Sequence, residues 1–205
     1  MSLNVKIYGQ KRTGTNMTEC VLNQFDNVSV AVNKDLSGND AWKHGPAKRL
    51  PGIDKYVFCV KNPAAWLVSN KKHDARIDAQ PGWQEPRWKT LPEWAAREAQ
   101  YLRCAYHWPD AIVVDSVRWI QTAKDCAERL QSFLGVPAPA TLEFPNNAMS
   151  MNGCASGAKF DKSFYTEQKY LSEITEKEWS EMFTALHSDK HLTQMWGNWF
   201  NQVRR

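Results

Sequence analysis

Residues 8–17 read YGQKRTGTNM, and this stretch decides the fold of the chain. An apolar and partly β-branched run at residues 4–8 leads into it, and from Thr15 onward apolar residues recur on one helical face. The pattern predicts a strand, a glycine-bounded loop and a helix. Gly9 and Gly14 have the spacing of a phosphate-binding loop, in which backbone N–H groups at a helix N-terminus hold phosphate oxygens.

The loop departs from the nucleotide kinase form in its last residues. In G-x-x-x-x-G-K-[ST] a lysine reaches the outer phosphates and a hydroxyl holds Mg²⁺. Thr15 and Asn16 occupy those two positions here. The basic residues, Lys11 and Arg12, lie inside the loop instead, where they can reach an anion at the helix N-terminus. The loop therefore favours a metal-free anionic nucleotide over Mg-ATP.

Length and composition limit the class of protein. The chain has 205 residues, of which 42% are hydrophobic, which is enough for one core. We therefore expect a single domain over residues 1–205, with a nucleotide-binding core at 1–136 and a mostly helical part at 137–205 packed on it. A net charge of +4 suits an anionic ligand but falls short of the dense basic face of a duplex-binding protein, so we expect no nucleic-acid partner.

The five cysteines are scattered, without C-x-x-C pairs or a spacing to histidine that suits zinc. This pattern is typical of reduced thiols and predicts no metal site. The sequence contains no signal-peptide pattern and no apolar stretch long enough to cross a bilayer. We therefore expect a cytoplasmic protein without a membrane partner.

Strands and helices alternate after the loop. Predicted strands lie at 28–32, 55–60 and 111–114, and predicted helices lie at 15–25, 62–73, 90–107 and 116–134. Their alternation predicts an α/β protein with a central parallel sheet between two helix layers, as in P-loop NTPases.

The remaining segments are less regular. Residues 74–89 contain prolines, glycine and tryptophans without a sustained period, which predicts a long loop or lid over the site. Beyond residue 137 there is no clear strand. Thr175 and Glu178 form a capping-box pattern that predicts a helix, and a last helix is expected at 189–200.

Cations and hydroxyls follow three of the predicted strands. The first strand leads into the loop, Lys43 and His44 follow the second, and Lys61 follows the third, with Ser69 in the next helix. Because parallel sheets bind ligands at the carboxyl ends of their strands, we expect these side chains to share one site.

The order and spacing of these residues resemble the PAPS-dependent sulfotransferases, where PAPS is 3′-phosphoadenosine 5′-phosphosulfate. In that family a basic-[ST]-G-T-x loop after the first strand binds the 5′-phosphosulfate, and residues 12–16, RTGTN, resemble it. The residues that the resemblance assigns to this group are Lys11, Arg12, Thr13, Gly14, Thr15, Asn16 and Met17.

A second family motif has a basic residue, then N-P, then a serine eight positions after the basic residue, and it binds the 3′-phosphate. Lys61-Asn62-Pro63 and Ser69 match this spacing. The family usually has arginine where Lys61 stands, so a bidentate fork is replaced by a point charge. The resemblance implies that Lys61 and Ser69 bind the 3′-phosphate.

Many family members also have K-x-H-x-P, whose histidine is the general base. Residues 42–46, WKHGP, are one residue shorter, and the resemblance makes His44 the expected base, with Lys43 or Arg12 stabilising the bridging oxygen. A loop histidine without catalytic function is the alternative. The carboxylates that remain alternative bases are Glu19, Asp74 and Glu98, of which Glu98 lies on a predicted helix and is expected to be a solvated charge.

The rest of the chain resembles the family less closely. The likeness covers residues 4–73 well and 110–136 moderately, and the later family motif, R-K-G with a second glycine, is poorly matched at 152–157. Lys159 or Lys162 is expected to substitute for it.

The resemblance implies a P-loop-like sulfotransferase fold and metal-independent transfer of a sulfuryl group from PAPS, leaving PAP, the 3′,5′-bisphosphate, as product. The acceptor is expected to be a small molecule or a glycan; Trp83, Trp88 and Trp94 suggest a sugar or aromatic ring, although core packing explains them equally well. A degenerate P-loop kinase and a non-catalytic nucleotide-binding module are the alternatives.

Overall fold

The computed structural model describes residues 2–31, 43–78, 90–137, 139, 147–149, 155–159 and 161–204. A four-stranded sheet forms its centre, with the strand order β2-β1-β3-β4 and every pairing parallel. The strands are β1 (Leu3–Gly9), β2 (Val28–Val30), β3 (Lys55–Val60) and β4 (Ala111–Asp115). The predicted α/β class and parallel sheet are confirmed, while the sulfotransferase fold stays a prediction.

The helices are α1 (Thr15–Leu22), α2 (Pro63–Asp78), α3 (Leu91–His107), α4 (Ser116–Gln121), α5 (Ala123–Leu134), α6 (Lys162–Thr166), α7 (Glu176–His187) and α8 (Lys190–Val203), with a short 3₁₀ helix at Lys169–Glu173. One face of β1 and β3 packs against α1 and α5, and the other packs against α3. Two buried faces explain why β3, whose residues from Tyr56 to Val60 are all buried, is continuously apolar.

Three helix ends are defined by their capping residues. Thr175 and Glu178 form the capping box at the start of α7, and Gly135 ends α5 with φ 70°. Asp115 ends β4 and caps α4, because its carboxylate accepts a hydrogen bond from the N–H of Val117 at 2.9 Å. The predicted capping box is confirmed.

Three predicted boundaries are wrong, and the first is that of the helix expected at 15–25, which ends at Leu22. The helix expected at 116–134 is two helices, because Thr122 leaves the helical region at φ −134° and ψ 60°. The loop expected from residue 74 is helical up to Asp78, because α2 continues to that residue and the segment has no glycine or proline. Residues 79–89 lie outside the described residues, and so does most of the predicted lid.

The C-terminal part contains elements that the sequence does not predict. β5 (Asn147–Met149) and β6 (Ala155–Lys159) form an antiparallel pair, so the expectation of no strand beyond residue 137 is wrong. The sequence of β6, ASGAK, lacks the apolar alternation that predicts strands, and the local ladder defines it instead. Among the described helices, none has the length and apolar character needed to cross a membrane.

Candidate functional site

The loop between β1 and α1 is a tight turn held by its own polar groups. The Thr13 hydroxyl donates to the Gln10 carbonyl oxygen at 2.7 Å, and the Thr13 N–H donates to the same oxygen at 3.2 Å. Arg12 and Gly14 have positive φ angles of 70° and 85°. A positive φ in a non-glycine residue costs of order 1 kcal/mol, so the contacts of the turn have to hold Arg12 in this conformation.

Gly14 lies where α1 begins and where the loop meets α4. It is the N-cap residue of α1 and, as a glycine, supplies no side-chain acceptor to the first backbone N–H groups of the helix. A Cβ at Gly14 would lie 2.7 Å from the Cβ of Ser116. Ser116 Oγ is buried and has no hydrogen-bond partner among the described residues.

Replacing Gly14 with alanine should destabilise the protein by about 2–4 kcal/mol, because the new Cβ would both strain the backbone at positive φ and overlap with Ser116. Gly52→Ala is the matched control, since Gly52 has φ 73° but a Cβ added there would meet nothing within 4 Å. The control should cost about 1 kcal/mol in the free energy of unfolding, measured by urea denaturation. Equal losses in both variants would show that the contact with α4 does not constrain the loop.

The loop meets the second motif directly. Arg12 Nε donates to Ser69 Oγ at 3.3 Å, although the two residues are 57 positions apart. Ser69 lies on α2 and is 5% exposed, and Lys61, at the end of β3, is also 5% exposed. Burial lowers the pKa of the Lys61 ammonium, and the charge of Arg12 lowers it further. Two predicted anion-binding motifs therefore form one cluster.

A tyrosine that the sequence does not single out joins this cluster. Lys61 Nζ lies 3.4 Å from the hydroxyl of Tyr165, on α6, and 4.8 Å from the centre of its ring. The side chains of Ser69 and Tyr165 also share a hydrogen bond. No local pattern points to Tyr165, because it lies 104 positions from Lys61 and follows a short hairpin.

His44 is placed at the carboxyl end of β1 by two hydrogen bonds. The Gly9 N–H donates to the Lys43 carbonyl oxygen at 2.9 Å, and His44 Nδ1 lies 2.6 Å from the Gly9 carbonyl oxygen. A carbonyl oxygen only accepts, so Nδ1 carries the proton and, in the neutral ring, Nε2 has the lone pair. This tautomer is the one that a general base working through Nε2 requires.

Lys43 lies against the first turns of α1 rather than in solvent. Its ammonium donates to Asn16 Oδ1 and lies 3.5 Å from a carboxylate oxygen of Glu19. Glu19, one of the alternative bases, therefore forms an ion pair with Lys43. Asn16, which the sequence places in the loop, serves to hold Lys43 beside it.

The other loop residues have structural contacts. The Lys11 carbonyl oxygen accepts from Trp66 Nε1 at 3.1 Å, and the Met17 side chain packs against the core under the sheet. The Thr13 hydroxyl donates within the loop. Thr15 is buried at the start of α1.

Glu98 is buried, contrary to the expectation of a solvated charge on a helix. Its two carboxylate oxygens accept from Gln10 Nε2 at 2.9 Å and from the Lys61 N–H at 3.2 Å. Burial raises the pKa of Glu98 to about 8. Glu98 thus joins the residue after β1 to the residue after β3 and positions both motifs.

The stability of the protein should depend on the protonation of Glu98. The unfolded carboxyl loses its proton near its ordinary pKa of 4.5, whereas the folded one keeps it to about 8, so stability should fall as pH rises between these values. The side chain in Glu98→Gln is always neutral. Above about pH 6, the free energy of unfolding of this variant, measured with urea, should fall less steeply with pH than that of wild type, by up to about 1.4 kcal/mol per pH unit.

Asp115 also contributes to this pH dependence, because burial raises its pKa to about 6, and its contribution is shared by wild type and variant. Glu128→Gln, at an exposed position on α5, is the control and should keep the wild-type slope. A Glu98→Gln slope equal to that of wild type above about pH 6 would contradict a proton on buried Glu98.

The structure places some of the tryptophans and lysines that the sequence analysis singles out. Trp94 is 1% exposed and lies with its ring centre 6.1 Å from that of Trp66, so core packing explains it. Trp83 and Trp88 lie outside the described residues. Lys162 is exposed at the start of α6.

No group of three or more histidine, cysteine, aspartate or glutamate side chains is placed to hold a metal ion in the part of the chain that the structure describes. Comparisons of the chain with family models, curated proteins and solved structures find no match. The resemblance to sulfotransferases therefore rests on the sequence motifs alone, and function has to be argued from the site.

Proposed function

We propose that the protein is a sulfotransferase that moves a sulfuryl group from PAPS to an acceptor hydroxyl or amine. The observation that carries this proposal is the 3.3 Å hydrogen bond between Arg12 Nε and Ser69 Oγ. PAPS carries a 5′-phosphosulfate and a 3′-phosphate on the same ribose, so its two anionic groups need two anion sites that adjoin each other. The contact between Arg12 and Ser69 supplies this proximity.

The chemistry of the donor set also suits such a ligand. Guanidinium, ammonium and hydroxyl groups from Arg12, Lys61 and Ser69 are hydrogen-bond donors for phosphate oxygens. The turn at Gly14 leaves the first N–H groups of α1 without a capping side chain, and such groups bind anions. Buried Ser116 Oγ lies beside this turn with its hydrogen-bonding capacity unused among the described residues.

In the reaction, the bond between sulfur and the oxygen of the 5′-phosphate breaks as a bond from the acceptor atom to sulfur forms. Arg12 and the N–H groups of α1 stabilise the negative charge left on the phosphate oxygen. His44 Nε2 takes the proton of the acceptor and passes it to solvent, while the Gly9 carbonyl holds Nδ1–H in place. The products are PAP and the sulfated acceptor.

Calorimetry with PAP tests the proposal. We expect the wild-type protein to bind PAP without added metal, and to bind it more tightly than adenosine 5′-monophosphate, because the second phosphate contacts Lys61 and Ser69. Absence of PAP binding would refute the proposal. Turnover of ATP that depends on Mg²⁺ would instead support the kinase alternative. PAP binding without sulfuryl transfer to any acceptor would support a nucleotide-binding module.

A screen identifies the acceptor. Incubation of the protein and PAPS with mixtures of hydroxyl- and amine-bearing metabolites and glycans, followed by mass spectrometry, detects any compound that gains a sulfuryl group. We expect at least one such product.

A further inference from the structure

A tyrosine from the C-terminal part of the chain meets the polar side chains of the two motifs at one point. The Tyr165 hydroxyl lies 3.4 Å from Lys61 Nζ and shares a hydrogen bond with the side chain of Ser69. Ser69 in turn accepts from Arg12 Nε at 3.3 Å. Lys61 at the end of β3 and Ser69 on α2 are neighbours along the chain, whereas Tyr165 comes from α6, so the fold rather than local sequence brings Tyr165 to them.

The Tyr165 ring is held in this position by its neighbours. The rings of Phe164 and Tyr170 have their centres 5.2 Å and 6.2 Å from that of Tyr165. Gln121 Nε2 donates to the Tyr165 carbonyl oxygen at 3.3 Å, and Asp161 caps the start of α6. A hydroxyl fixed by its surroundings loses little conformational entropy when a ligand binds to it.

The point where these groups meet favours negative charge. Burial alone would raise the pKa of the Tyr165 phenol, yet its pKa is lowered, because the positive charge of Lys61 and the hydrogen bonds from Lys61 and Ser69 outweigh burial, with a further contribution from Arg12. An oxygen at this place is thus stabilised as an anion. A phosphate oxygen bound beside Tyr165 would meet the same cations.

We propose that the Tyr165 hydroxyl is a third ligand of the 3′-phosphate, beside Lys61 and Ser69. This inference rests on the proposed function and deepens it, because it assigns the part of the site that Lys159 or Lys162 was expected to complete. A phosphate has three terminal oxygens, and an ammonium, a hydroxyl and a phenol supply one donor or more to each. The C-terminal part of the chain then determines the preference for a 3′,5′-bisphosphate over a 5′-monophosphate.

Tyr165 could also act against the phosphate, and that role predicts a different effect on PAP binding. If the phenol only occupies the place of the phosphate in the free protein, the ligand has to displace it. Removing the hydroxyl would then strengthen PAP binding rather than weaken it. The two roles are separated by the sign of one change in affinity.

The test compares PAP and adenosine 5′-monophosphate binding to wild type and Tyr165→Phe by calorimetry. We expect the variant to bind PAP about tenfold or more weakly, the effect of losing one hydrogen bond to a charged group, and to bind the monophosphate as wild type does. Tyr170→Phe is the matched control. It removes a hydroxyl from the same aromatic cluster, one that contacts Asn62 Nδ2 at 3.2 Å, and should leave the preference for PAP unchanged.

Each outcome has a distinct meaning. Unchanged or tighter PAP binding by Tyr165→Phe, with wild type binding PAP, overturns the assignment of Tyr165 and leaves the proposed function standing. Equal losses for PAP and the monophosphate also overturn it, because a ligand of the 3′-phosphate cannot affect a nucleotide that lacks one. No PAP binding by wild type overturns the proposed function and this assignment together.

A second measurement uses the wild-type protein and does not depend on a variant. Ultraviolet absorbance follows the ionisation of tyrosines as pH rises. A phosphate bound beside Tyr165 disfavours the phenolate, so PAP should move the ionisation of one tyrosine to higher pH, whereas the monophosphate should not. The charged side chains that face Tyr165 are Lys61 and Arg12. Arg12 stays cationic over this range, whereas burial lowers the pKa of Lys61, so the test is the difference between the titrations with PAP and with the monophosphate. An unchanged titration with saturating PAP contradicts the assignment.

Discussion

Replacing His44 with asparagine should lower kcat for sulfuryl transfer by about 10²–10⁴-fold, the usual contribution of a general base. Asparagine keeps an N–H that can donate to the Gly9 carbonyl oxygen, as His44 Nδ1 does at 2.6 Å, so the loop keeps its support. It has no basic nitrogen to accept the acceptor's proton. PAP affinity should therefore stay within about twofold of wild type while turnover is lost.

The measurement is steady-state transfer from PAPS to the acceptor that the metabolite screen identifies, together with calorimetry for PAP. His187→Asn is the matched control, because His187 Nδ1 also contacts a backbone carbonyl oxygen, that of Phe183 at 2.8 Å, but on the exposed surface of α7. The control should keep wild-type kcat. Full activity in His44→Asn would remove His44 from the mechanism and direct attention to Glu19.

Replacing Lys61 with methionine should weaken PAP binding by about 100-fold, since it removes a buried cation from the predicted 3′-phosphate site. Methionine retains most of the aliphatic length of the lysine, which is 5% exposed, so little packing is lost. Adenosine 5′-monophosphate, which has no 3′-phosphate, should bind almost equally to both proteins. Ser69→Ala should also weaken PAP binding without affecting the monophosphate, but by a smaller factor than Lys61→Met.

Calorimetry with the two nucleotides measures this difference, and urea unfolding shows whether Lys61→Met stays folded. Lys177→Met is the control, because that side chain on α7 is 86% exposed and should influence neither affinity. Wild-type PAP affinity in Lys61→Met and Ser69→Ala would refute the predicted 3′-phosphate site. A matching loss of monophosphate binding would place Lys61 at the 5′ group instead.

The elements that local sequence encodes can be predicted well. The third strand is predicted at 55–60 and is β3, Lys55–Val60, because a buried parallel strand needs an unbroken apolar run. The capping box at Thr175 is also recognisable, since it depends on side chains three residues apart. Where the boundary depends on a backbone turn, as at Thr122, or on local pairing, as in β6, the pattern is insufficient.

The candidate site divides in the same way. The residues of the loop, Lys61 and Ser69 are predicted from motif spacing, because each motif is short and follows a strand. Glu98 is expected to be solvated, yet it is buried between the ends of β1 and β3. In the sequence, Glu98 looks like an ordinary polar position on a helix surface. Only the packing of α3 on the sheet decides that it faces inward.

By itself, then, the sequence determined an α/β chain with a phosphate-loop pattern and a second basic motif at the end of a neighbouring strand, since these features arise from contacts between residues close along the chain. Tertiary structure decided that Arg12 reaches Ser69, that Glu98 joins the two strand ends and that Tyr165 completes the cluster. These contacts span from 37 to 104 residues. They depend on how whole helices pack on the sheet, which no local pattern records.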